Sequence, residues 1–234
     1  MLNYRNSYDL DIESAYIISL KDNEISQDLT KRCAKSCESV GQPYKIFNGF
    51  DGNSGEVIVP EELKGQSWLK WLRLHDCTLT PTQIGCVYSH FALWTKCLEL
   101  DRPIIILEHD SIMVEKFVFH PVFNSIVYLG SREQYSGSPI YPTPPHGSDN
   151  NGLYRFICRA HAYSIDPTVA KNMISYVLKM GIHTSLDVML RSDIIPMCQI
   201  GFYAYDSPDI STIHKEEWVN RLFHRGIEYG TNQL

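Results

Sequence analysis

The chain has 234 residues, 44% of them hydrophobic, with 21 Lys and Arg against 27 Asp and Glu for a net charge of −6. That length suits one large domain or two very small ones and can bury a sizeable core; with no linker separating two cores, one domain spanning residues 1–234 is expected. The acidic balance excludes a global basic field that would recruit nucleic acid or anionic lipid. No apolar run approaches the roughly 20 residues that span a bilayer.

Residues 15–20 are apolar and β-branched, which predicts a buried strand. A helix is expected over residues 26–40 and a second strand over 44–47, so the sheet should start parallel. Asn48-Gly49-Phe50-Asp51-Gly52 has turn chemistry. Residues 64–75 interleave basic and aromatic side chains. Trp68 and Trp71 could stack on sugar rings or bases while Lys64, Lys70 and Arg73 meet phosphates. The ordinary alternative is an amphipathic helix that buries its tryptophans.

Thr80 can cap a helix, Pro81 fits its first position and Gln83 completes a capping box. Ile84, Val87, Phe91, Trp94 and Leu98 then recur at helical spacing. On this helix Gly85 and Ser89, and Cys86 and His90, stand four apart. A ligand approaching closely would explain a glycine there, as would tight helix packing with Ser89 and His90 satisfied locally.

Ile104-Ile105-Ile106-Leu107 reads as a buried strand running into Glu108-His109-Asp110. Carboxylates at a strand's C-terminal end sit where open α/β sheets bind ligands, and residues two apart on a strand share a face. Glu108 and Asp110 are therefore expected to converge on a hard divalent cation that carries a diphosphate. The bland alternative is that they end a strand and cap a turn.

A strand follows over residues 126–129. Residues 131–152 form a loop of the length usual for functional lids or disordered segments. Two more strands, 154–158 and 162–165, precede a helix that Asp166-Pro167 starts and Gly181 stops. Strands alternating with helices predict an α/β fold with a mixed, mainly parallel sheet. The seven cysteines are scattered. Cys33 and Cys37 could bring two zinc ligands together, but no second pair follows, so reduced structural thiols in a cytoplasmic protein are expected.

Four blocks resemble glycosyltransferase family 25. Residues 16–20 resemble its opening strand, and residues 47–52 stand in its "AvDG" place. Residues 79–90 resemble its "l-x-x-x-e-i-G-C-x-x-S-H" signature, and Leu107-Glu108-His109-Asp110 stands where the family carries "l-E-D-D". Residues 162–165, 186–187 and 207–213 resemble later blocks, so the likeness runs from about residue 15 to 215. It implies a GT-A fold, a nucleotide-sugar donor (usually a UDP-sugar) and a divalent cation, manganese more than magnesium.

The resemblance further implies donor contacts from Gly85, Ser89, His90 and His109, and Asp187 as the base that deprotonates an acceptor hydroxyl. Thr184-x-x-Asp187 is equally a capping box. A late histidine, His214, would add a metal ligand to Glu108 and Asp110, although a histidine there is often plain surface. His109 replaces the family's first aspartate, which leaves a non-catalytic glycan- or nucleotide-binding protein as the rival. The transferred unit would be a hexose or pentose. The acceptor would be a lipopolysaccharide-type oligosaccharide or a hydroxymethylated base of phage DNA, with Trp68, Lys70, Trp71 and Arg73 as its contacts.

Overall fold

The computed structural model describes residues 9–75, 78–121, 125–130, 147–148, 155–156 and 160–206. In chain order these form β1 (Asp9–Asp11), β2 (Ala15–Ser19), α1 (Glu24–Val40), β3 (Tyr44–Asn48), α2 (Pro81–Leu100), β4 (Ile104–Glu108), β5 (Ser111–Met113), β6 (Phe119–Pro121) and β7 (Ile126–Gly130). Then come β8 (Gly147–Ser148), β9 (Arg155–Phe156), β10 (Ala162–Ile165), α3 (Pro167–Met180), α4 (Leu186–Met189) and β11 (Met197–Asp206).

The central sheet has seven strands in the order β3-β2-β4-β10-β7-β11-β5. β2 pairs in parallel with β3 and β4, and β7 with β11, whereas β10 runs antiparallel to β4 and β7, and β5 antiparallel to β11. Thus β3, β2, β4, β7 and β11 point one way and β10 and β5 the other. This is the mixed, mainly parallel α/β sheet expected from the alternating elements.

Both faces of the sheet are covered, and the period of two along each strand sorts the side chains. Ile18, Ile104, Ile106, Tyr128 and Tyr163 pack with α2 and α3 through Val87, Phe91, Trp94, Val169 and Met173. Ile17, Ile105, Leu107, Val127 and Leu129 pack on the other face, with Cys33 and Cys37 of α1. Burying a side chain of that size contributes roughly 1.5–3 kcal/mol. Two-sided burial explains why these strands read as unbroken apolar runs.

Helix ends are specified locally. Asn23 caps α1 by accepting from Ser26 N, and Gly41 closes it at φ 68°. Thr80 and Gln83 form the anticipated capping box of α2, and Asp166 caps α3 through Thr168 N and Val169 N.

Residues 64–75 are not the amphipathic helix of the ordinary alternative. They hold a short 3₁₀ turn, Ser67–Trp71, with Gly65 at φ 89° before it and extended Leu72 after it. Leu74 is drawn into a bridge with Ile182, which prevents the segment from coiling into a helix. β11 was not anticipated at all. The strand expected over 154–158 is described only as β9, and most of the 131–152 loop lies outside the described residues.

Candidate active site

The wall of the site is the first turns of α2 pressed against the turn that follows β3. A Cβ on Gly52 would lie 2.1 Å from the Pro81 carbonyl carbon, and one on Gly85 would lie 2.7 Å from the Phe50 carbonyl oxygen. Only a hydrogen at these positions lets the two backbones meet. Ser89 then ties the seam, donating from Oγ to Gly85 O (2.8 Å) and accepting from Phe50 N (2.9 Å). Gly85 and Ser89 thus perform the packing role that was one of their two readings.

The floor is the C-terminal end of β4. Alternation puts Glu108 on the face of Ile104 and Ile106, toward α2, and His109 on the face of Leu107, toward α1. The strand stops at Glu108 and residues 109–110 form a turn, so the period of two does not carry Asp110. The turn nonetheless brings Asp110 to the same pocket. Ser89, His90, Glu108, His109 and Asp110 line it together with Ile18, Leu20, Phe50, Gly52, Thr82 and Cys86. The pocket is partly open to solvent.

His109 is buried, and its Nδ1 lies 3.0 Å from Ser26 Oγ, which itself accepts from Leu20 N. Burial pushes its imidazole down to about 4, and the Arg32 guanidinium adds to the effect. At neutral pH the ring is therefore neutral. His90 is fully buried, with Nδ1 2.8 Å from the Tyr163 hydroxyl, which also accepts from Trp94 Nε1 at 2.9 Å. Burial lowers it to about 3 against an upward pull from Asp187. The 3.4 Å approach of His90 Nε2 to Glu108 Oε1 is consequently a neutral contact, not an ion pair. Cys86 donates its Sγ–H toward the same oxygen at 3.5 Å.

Residues 12–123, which carry the seam, the α2 signature and the acidic strand end, match the family model described as Glycosyltransferase family 25 (LPS biosynthesis protein). Over that stretch the chain is similar to glycosyltransferase family 25. No curated protein matches the chain. The family 25 match supports a glycosyltransferase, with a nucleotide-sugar donor and a glycan acceptor. Among the described residues no helix is long and apolar enough to cross a membrane.

Asp187 lies beyond the family 25 match, yet its charge reaches both Cys86 and His90. The anticipated Thr184 capping box does not form. Ser185 occupies the cap position without a side-chain bond, and Asp187 Oδ1 instead accepts from Ala160 N at 3.0 Å. The suggested acceptor residues separate. Trp68 packs on Phe91 (5.0 Å between rings) and Phe50 (6.2 Å), as the bland reading held, whereas Trp71 is 60% exposed and Lys70 and Arg73 are exposed. None of the four lines the pocket. His214 lies outside the described residues.

Sequence reasoning assigned Cys86 no part in a site. Its Sγ, His90 nitrogen and a Glu108 oxygen lie within 4.8 Å of one another, and among the described residues no other group of three or more such side chains does so. The signal was there in the four-residue spacing of Cys86 and His90. Glu108 arrives from a strand that spacing cannot see.

Proposed function

We propose that this chain is a single glycosyltransferase domain of GT-A type that transfers a hexose or pentose from a UDP-sugar to an acceptor hydroxyl, in the cytoplasm. The observation that carries the reading is the convergence of Glu108 and Asp110 on one pocket at the C-terminal ends of β2 and β4. Hard oxygen donors beside a space open to solvent suit a divalent cation that also takes diphosphate oxygens. The donor set thus fits manganese or magnesium, held by Glu108 and Asp110. When bound, such an ion neutralises charge developing on the departing nucleoside diphosphate.

The chain's own groups do the rest. Neutral His109, oriented by Ser26, lines the donor pocket beside the two carboxylates. The Ser89 seam holds the Phe50 turn where the donor enters. Asp187, steadied through Oδ1 by Ala160 N–H, takes the proton from the attacking hydroxyl with its carboxylate.

A lipopolysaccharide-type oligosaccharide is the acceptor that the family description favours. Exposed Trp71 beside Lys70 and Arg73 favours a second acceptor, a hydroxymethylated DNA base, through stacking and phosphate contact. The deciding test is manganese-dependent release of UDP from UDP-sugars, alone and with each acceptor. Release that chelation stops and Glu108→Ala abolishes supports the transferase. Absence of release with common donors, together with no metal-dependent thermal shift, would assign a binding protein instead.

A further inference from the structure

We propose that Cys86 Sγ, His90 Nε2 and Glu108 Oε1 form a binding site for a borderline-soft transition-metal ion of the zinc class, separate in chemistry from a hard-cation site on Glu108 and Asp110. Thiolate, imidazole and carboxylate together are a transition-metal donor set; manganese and magnesium favour oxygen alone. Two of the three edges of the triad agree. Zinc bonds of about 2.0–2.1 Å to N or O and about 2.3 Å to S, at tetrahedral angles, put S and O about 3.5 Å apart and N and O about 3.4 Å apart. The Cys86–Glu108 separation is 3.5 Å and the His90–Glu108 separation is 3.4 Å.

A second observation points to a ligand independently. His90 is fully buried, and its Nε2 has no hydrogen-bond partner although it faces the pocket end of Glu108. Leaving such an atom unmatched in a protein interior is costly, and a metal ion would satisfy it. The other ring nitrogen pairs with Tyr163, whose hydroxyl is held by Trp94, an arrangement that orients a ligating imidazole. Cys86 and His90 come from one face of α2, so two ligands are preset by a helix and the third by a strand end. All three residues line the pocket. Binding transfers the Cys86 thiol proton to the buffer, so affinity rises with pH.

Cobalt(II) titrated into the full, metal-free chain tests this. The expected result is one equivalent bound, with a near-ultraviolet thiolate-to-cobalt band and intense visible bands of tetrahedral form, both erased by zinc. Cys86→Ser should remove the near-ultraviolet band, and His90→Gln should weaken cobalt binding by at least about 10-fold. A missing band, or one that survives Cys86→Ser, overturns the site. Should that variant fail to fold, X-ray absorption of the zinc-loaded wild type decides: a shell of one sulfur at about 2.3 Å supports the site and its absence overturns it. Asp110→Asn keeps the two readings apart, because it should abolish manganese-dependent UDP release while leaving the cobalt spectrum intact.

Discussion

Two buried histidines each stand 3.4 Å from a carboxylate, at opposite ends of β4. His90 faces Glu108 at the C-terminal end, and His120 faces Asp166 beside the N-terminal end. The second pair is tied down through its outer atoms, although His120 Nε2 and Asp166 Oδ2, like His90 Nε2, have no hydrogen-bond partner. His120 Nδ1 donates to Ser164 Oγ (2.8 Å), Ser164 donates to Ile104 O (3.2 Å), and Asp166 accepts from Thr168 N and Val169 N to start α3. The first pair opens onto the pocket, and its carboxylate is 23% exposed. The two pairs therefore differ in access: the Glu108 carboxylate meets the pocket, whereas Asp166 is only 5% exposed and its other oxygen starts a helix.

The strongest way to break the comparison is Glu108→Ala. It should cut metal-dependent UDP release by about 10²–10³-fold, while the urea midpoint barely moves. A loss of stability matching the loss of turnover would give Glu108 a structural role as well. Asp166→Ala should do the opposite. Losing a helix cap and stranding His120 should cost about 2–3 kcal/mol in urea unfolding, with turnover of the remaining folded enzyme unchanged.

Gly85→Ala sharpens the picture at the seam that frames the open pair. Alanine gains about 1 kcal/mol of helix propensity. Its Cβ would press on the Phe50 carbonyl oxygen at 2.7 Å, so a net loss of about 1–2 kcal/mol is expected. A more stable variant by thermal melting would show that the seam gives way.

Acidity separates the pairs by window. Burial holds folded His90 near 3, against an ordinary value of 6.5, so the unfolded chain takes up the proton first. Its contribution is full above 6.5 and is lost as pH falls toward 3; His90→Gln should flatten that slope in chelator-treated protein. For Asp166, burial alone would raise the carboxyl, but His120 and the Val169 and Thr168 N–H groups hold it below 3.8. Its stabilisation is present above 3.8 and lost as pH falls through the lower folded value, so Asp166→Ala should change only the most acid limb. Smallest of all, Trp71→Ala should shift stability by less than about 0.5 kcal/mol. If Trp71 meets the acceptor, the change appears as a raised acceptor KM at constant kcat.

What was legible follows the range of the forces involved. The β2–α1–β3 unit, the Thr80 capping box and the Asp166 cap are written within a few residues, and each formed. Glu108 and Asp110 could be placed at a strand end because an unbroken apolar run precedes them. The partition of Trp68 from Trp71, the bridge from Leu74 to Ile182 and the meeting of Cys86 with Glu108 all depend on elements far away in the chain. β11 hid for a related reason: Gly201 interrupts its pattern, and its pairing with β7 shifts register between Gln199 and Ala204.

The backbone carbonyl of His161 accepts from Glu108 N at 2.8 Å and from Ser111 Oγ at 2.6 Å. One oxygen of β10's approach thus staples both shoulders of the acidic turn, and no side-chain replacement at residue 161 deletes it. Drift in the acidic turn is consequently restrained by main-chain atoms of a neighbour. Engineering that aims to re-aim these acids would have to reshape the β10 strand instead of editing the turn itself.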